Sequence, residues 1–162
     1  DLFFNSNTDA VIMHGANCQR IMGAGFADQV RKRISPLFYL DQYDTRNATQ
    51  RFGSYSAVVI GQVEDMMKVG VNLYTQFNPG PNFDSVALRN SLRGFKFSIP
   101  KDKRIGFTVY LPKIGCGIGG ATWSDVEPII KTELVDFNIV IVNYAAPVEP
   151  EDTNEEIVEE KK

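Results

Sequence analysis

Two short stretches hold the residues best suited to chemistry. HGANCQRIMGAGFA, residues 14–27, contains the only histidine of the chain, His14, with Asn17 three positions on and glycines at 23 and 25. KIGCGIGG, residues 113–120, brings in Gly115, Gly117 and Gly119. His14 is the one side chain whose ordinary pKa suits proton transfer near neutrality; a hydrogen-bonded structural role is its other reading. Glycine accepts positive φ and lets a ligand approach bare backbone. A helix N-terminus adds unpaired N–H groups and the positive end of a dipole. Two such loops facing one crevice would grip a diphosphate from both sides. Taken singly, each loop is equally well explained by a tight turn and close strand–helix packing.

Familiar nucleotide motifs fit poorly. Gly115, Gly117 and Gly120 satisfy GxGxxG, but the next strand ends in Asn143 and Tyr144, where a dinucleotide fold needs an acidic residue. Neither loop carries the GK[ST] of a P-loop. His14, Cys18 and Cys116 form a zinc-type ligand set whose spacing matches no zinc motif. The cysteines read as small fillers, and neither metal nor cofactor is expected.

The elements that must position these loops follow from hydrophobic periodicity. AVIMHGA (10–16) reads as a buried strand and AGFADQVRKRI (24–34) as a helix with Phe26, Val30 and Ile34 on one face. Ser35-Pro36 ends that helix, and 37–43 forms a second short one. SAVVIG (56–61) and VGVNLYTQ (69–76) read as strands, NPGPN (78–82) as a loop, and 83–98 as a helix striped by Leu88, Leu92 and Phe95. IGFTVYL (105–111) is a strand covered on both faces, followed by a helix over 122–136 and a last strand, IVIVNY (139–144). The alternation predicts an α/β fold with helices on both faces of a largely parallel sheet. Ligands bind such sheets beyond the carboxyl ends of the strands, where both glycine loops lie.

Composition sets the remaining bounds. The formal charge of −3 is dominated by residues 148–162, VEPEDTNEEIVEEKK, at −5, so that residues 1–147 carry +2. The acidic tail reads as disordered and the body as one domain over 1–147. A charge of +2 is too small for a nucleic-acid surface to be the first expectation. No apolar run approaches the roughly 20 residues of a membrane helix. Two cysteines fit a reducing compartment, hence a cytoplasmic protein.

Several motifs together resemble a macro domain, the ADP-ribose-binding module: Asp1-Leu2-Phe3, similar to the end of the family's GDLF; HGANC (14–18); MGAGFA (22–27); LPKIGCGIGGATW (111–123); and the closing IVIVNY. They run in the family's order over residues 1–144. The resemblance implies a three-layer α/β/α sandwich with a mixed, largely parallel sheet. It also implies a strand upstream of Asp1, so the natural protein is expected to begin several residues earlier. IGCG followed six residues later by Trp123 points to the branch of ADP-ribose-1″-phosphate phosphatases and terminal ADP-ribose glycohydrolase-like proteins.

By the same resemblance, Asp1 and Leu2 would meet the adenine, with Tyr144 nearby, and Asn17 would bind the distal ribose. Main chain at Gly23, Ala24, Gly25 and Phe26, and at Gly115, Cys116, Gly117, Ile118 and Gly119, would wrap the diphosphate and that ribose. The HxxN pattern is similar to the phosphatase branch, where such a histidine is a proposed catalytic residue. The expected activity is hydrolysis of ADP-ribose-1″-phosphate to ADP-ribose and phosphate by a monomer. Removal of ADP-ribose from modified macromolecules and recognition without chemistry stay open. The lysine and aspartate of the glycohydrolase-like branch align with Gln76 and Gly119, which puts a lysine-dependent route in doubt.

Overall fold

The computed structural model describes residues 3–143; Asp1, Leu2, Tyr144 and the acidic tail lie outside them. The elements are strand β1 (Asp9–Asn17), helices α1 (Gly25–Arg33), α2 (Ser35–Gln42) and α3 (Ala48–Arg51), strands β2 (Tyr55–Val63) and β3 (Met66–Gln76), helix α4 (Ser85–Phe97), strand β4 (Phe107–Leu111), helix α5 (Trp123–Glu133) and strand β5 (Asn138–Ile141). They form a five-stranded sheet in the order β2-β3-β1-β4-β5. Strand β1 pairs parallel with β3 and β4, and β4 pairs parallel with β5. Only β2, joined to β3 by a tight hairpin, runs antiparallel. This is the expected mixed, largely parallel sheet.

Side chains two apart on a strand share a face, which splits the core into layers. Val11, Met13, Val71, Leu73, Val109 and Leu111 bury themselves against Leu88, Leu92 and Phe95 of α4 and Val126 and Ile130 of α5. On the other face Ile12, Val58 and Ile60 meet Val30 of α1, Ile34 just after it, and Leu37 of α2. Strand β4 is covered on both sides, since Tyr110 packs opposite to Val109 with Phe3 and Ala10.

Several elements differ from expectation: β3 starts three residues early at Met66, α2 starts at Ser35, and α5 ends at Glu133. Residues 101–106 form a 3-10 turn that exposes Ile105, so β4 starts at Phe107. β5 ends at Ile141, although the Val142 amide still donates to the Leu111 carbonyl. α3 was not anticipated; a capping box between Asn47 and Gln50 starts it.

Helices α4 and α5 are tied by charge as well as by apolar contact. The nearly buried Glu133 carboxylate accepts from Arg93 Nε at 3.0 Å and Lys96 Nζ at 3.2 Å. Burial pushes this carboxyl up, but the two donors more than offset it and hold it below its usual range. Removing it with E133A is expected to cost about 2 kcal/mol in urea unfolding, the scale of hydrogen bonds to a charged group. K131A, which breaks the exposed Lys131–Glu127 pair, should cost less than about 0.5 kcal/mol. Equal losses for the two variants would refute the assignment.

Candidate functional site

The carboxyl ends of β1, β3 and β4 open into a cleft of about 760 Å³. Its first wall is the loop after β1, its second the loop after β4, and the chain beyond β5 (Val142, Asn143) closes one end. His14, Asn17, Gly23–Phe26 and Gly115–Gly119 all line this one space. The walls nearly touch: a Cβ on Gly25 would lie 3.9 Å from Ile118 Cδ1. The expected contacts at Asp1, Leu2 and Tyr144 lie outside the described residues.

The first loop is built largely by its own polar groups. Asn17 Oδ1 accepts from the Gln19 amide at 3.0 Å, and its Nδ2 donates to the Ile21 carbonyl at 2.8 Å. Asn17 is therefore the loop's internal brace as well as part of the cleft wall. Arg20 adopts φ of 61° and does not line the cleft. It donates to the main-chain carbonyl of Asp44, while Gln42 Nε2 holds the Arg20 carbonyl at 2.9 Å. Arg51 grips the Cys18 carbonyl from the same side. Helix α1 then starts at Gly25, with Ala24 at the N-cap position and no side-chain cap. The amides of Gly23 and Ala24 donate to no group among the described residues.

The second loop depends on two glycines. Gly115 has φ of +75°, and a Cβ there would stand 2.3 Å from Phe83 Cδ2. A Cβ on Gly119 would stand 2.8 Å from the Gly115 carbonyl oxygen. The turn closes through Ala121 N to Gly115 O at 2.8 Å and Gly120 N to Gly117 O at 3.2 Å. This leaves the Gly117, Ile118 and Gly119 amides without acceptors among the described residues. The N-terminus of α5, expected from the sequence to face the ligand, is absent from the cleft wall, because residues 120–122 carry the chain away from it. Trp123 packs against the core beside this loop, with Lys113 Nζ 5.9 Å from its ring centre. Lys113 is the one charged side chain in the cleft wall among the described residues.

Two side chains of the site draw on signals that sequence reading passed over. Gln76, at the end of β3 and paired in register with Asn17, donates through Nε2 to the carbonyls of Asn78 and Gly80 at 3.0 and 3.2 Å. It thereby fixes the NPGPN loop, whose Pro79 and Gly80 join the cleft wall. Asn72, a buried amide of β3, pairs in register with His14. Its Nδ2 donates to the Leu37 carbonyl and Ser56 Oγ, and its Oδ1 sits 2.6 Å from His14 Nε2. A main-chain carbonyl only accepts, so the amide nitrogen must face Leu37 and Oδ1 must face His14. Nε2 therefore carries the ring proton.

His14 forms part of the cleft floor, but 1% of it is exposed and Nδ1 has no partner among the described residues. Burial lowers its pKa from 6.5 to about 4, and the contacts with Asn72 and the Gly15 main chain restore only part of this. At neutral pH the cleft floor therefore presents a neutral ring with its proton on Nε2. Cys18 is fully buried, its thiol pushed up by burial to about 11, and the Cys116 thiol is also raised by burial. Among the described residues no three metal-ligating side chains converge, and no helix is long and apolar enough to cross a membrane.

The His14 environment makes stability depend on pH. Below pH 6.5 the unfolded chain takes up a proton that the folded ring refuses until about pH 4. Stability is thus full above pH 6.5 and should fall by about 3 kcal/mol as pH drops through that window. With a single histidine, NMR titration of the imidazole is unambiguous; a midpoint near 6.5 in the folded protein would contradict the burial argument.

No protein-family model matches the sequence. The chain is 37% identical over 134 residues to a protein of Enterobacteria phage T4 described as an uncharacterized 17.5 kDa protein in the tk-vs intergenic region, covering 82% of this chain and 85% of that one. The macrodomain of Mycobacterium tuberculosis DarG superposes with a TM-score of 0.67 at 25% identity, over 87% of this chain and 91% of that one. Thermosipho africanus DarTG, solved in complex with ADP-ribose, gives a TM-score of 0.67 at 21% identity, over 87% of this chain and 39% of that one. Sheet order, the two glycine loops and these likenesses agree: the chain has the macrodomain fold.

Proposed function

We propose that the cleft binds ADP-ribose derivatives and hydrolyses the phosphomonoester of ADP-ribose-1″-phosphate to ADP-ribose and phosphate. The observation that carries this reading is the set of main-chain amides on two facing walls that have no acceptor among the described residues. Gly23 and Ala24 stand on one side and Gly117, Ile118 and Gly119 on the other. Backbone N–H groups suit phosphate oxygens, and no carboxylate in the described wall opposes them. The cleft volume is that of a small-molecule site. The ADP-ribose held by the Thermosipho relative supports the ligand class.

In this reading the adenosine lies toward Val142 and Asn143, and the distal ribose toward Asn17 and Gln76. The terminal end, framed by Asn17, Gln76 and Gly119, carries no side-chain charge among its described residues. It offers amides to an anion and no carboxylate to assist cleavage of a glycosidic bond. An aspartate at 119 would collide with the Gly115 carbonyl, which disfavours the lysine-and-aspartate route. Loop amides fixed before the reaction would supply most of the rate by stabilising charge on the transferring phosphoryl group. Recognition without turnover is the second reading, favoured by the burial and neutrality of His14.

Calorimetry is expected to give a Kd for ADP-ribose on the order of micromolar, and phosphate release from ADP-ribose-1″-phosphate to proceed without added metal. Binding without release would select recognition, and failure to bind either compound would overturn both readings. H14Q should keep release within about threefold per folded molecule while losing stability. A collapse of turnover at unchanged stability would return His14 to the chemistry.

A further inference from the structure

The proposed hydrolysis needs a water aimed at the terminal phosphorus, and a buried neutral His14 does not aim it. A different group faces that end of the cleft. The two main-chain carbonyls that Gln76 Nε2 contacts can only accept, so the amide cannot flip and Oε1 must take the opposite side. There it lies beside Gly119, 3.2 Å from where a Cβ of that residue would stand. No donor among the described residues reaches Oε1. The glycine at 119 keeps the space before it open, and the amides without acceptors at Gly117, Ile118 and Gly119 stand on the same wall.

We propose that Gln76 orients the attacking water, its Oε1 accepting a hydrogen bond from that water while the second-loop amides hold the phosphate. This rests on the hydrolytic reading above. A fixed amide oxygen is a sufficient guide for water in phosphoryl transfer, where positioning and electrostatics supply most of the catalysis. The water oxygen bonds to phosphorus as the bond from phosphorus to the ribose O1″ breaks. One water proton passes by way of a non-bridging phosphate oxygen to O1″, and the other stays on the released hydrogen phosphate. Gln76 neither gains nor loses a proton, and no co-reactant beyond water is consumed. The NPGPN loop acts through Gln76, because its carbonyls set which end of the amide meets the cleft.

The test separates this role from loop support. Q76M removes both amide ends, whereas Q76E keeps an acceptor and loses the donors to Asn78 and Gly80. Release of phosphate from ADP-ribose-1″-phosphate should fall about 100-fold in kcat for Q76M, with KM and the calorimetric Kd for ADP-ribose changed by less than about threefold. Q76E should retain at least about ten times the kcat of Q76M. If Q76M releases phosphate at the wild-type rate, or if both variants lose affinity and turnover together, the role is refuted. Wild-type protein that binds ADP-ribose but releases no phosphate refutes the hydrolytic reading, and this role with it. Independently of any variant, a crystal structure of the wild type with ADP-ribose and orthovanadate should place Oε1 within about 3 Å of the axial oxygen opposite the ribose. An Oε1 turned away from that oxygen would equally overturn the assignment.

Discussion

The cleft depends on the parallel pairing of β1 with β3 on one side and β4 on the other. Parallel neighbours deliver their carboxyl ends to the same edge of a sheet, so the segments leaving β1, β3 and β4 meet without any long excursion of chain. Were β1 reversed, the loop holding Gly23 and Gly25 would emerge at the opposite edge, a strand length from Gly115–Gly119. The apolar run of β1, buried on both faces, suits this central place. The site is thus a by-product of strand direction, sharpened by glycines where side chains would intrude.

Three loops then act as one body. The first is braced by Asn17 and fastened from outside by Arg20, Gln42 and Arg51. The third, after β3, is held by Gln76, and its Phe83 presses on Gly115 while its amide donates to the Gly119 carbonyl at 3.2 Å. Hydrogen bonds that fix the loops from behind leave the cleft-wall amides of Gly23, Ala24, Gly117, Ile118 and Gly119 without acceptors among the described residues, a preorganised electrostatic site.

Much of this was legible in the sequence. Periodicity located every strand and the longer helices, because each β-segment is apolar and each long helix carries a clear stripe such as Leu88, Leu92 and Phe95. The glycine loops announced the cleft, and their residues do line one space. What stayed hidden was direction and environment. Nothing in HGAN tells whether His14 points to solvent or under α2, since that depends on Asn72 and Leu37, distant in sequence. Helix α5 follows a glycine loop just as α1 does, yet only α1 faces the cleft, because the path of residues 120–122 is set by packing against Pro81 and the core. Gln76 looked like the loss of a lysine; its meaning lies in two carbonyls that only the folded loop brings near.

The polar line beneath α2 has a further consequence. From Asn72 it runs through Ser56 Oγ and the Tyr74 hydroxyl to the buried carboxylate of Asp41, with contacts of 3.1, 3.2 and 2.9 Å. Apolar surfaces can slide past one another at little cost, but a row of directional bonds matches in only one alignment. This seam therefore works as a vernier: it sets α2 against β2 and β3 at a single offset, from which the Asn72 contact reaches His14 in the cleft floor.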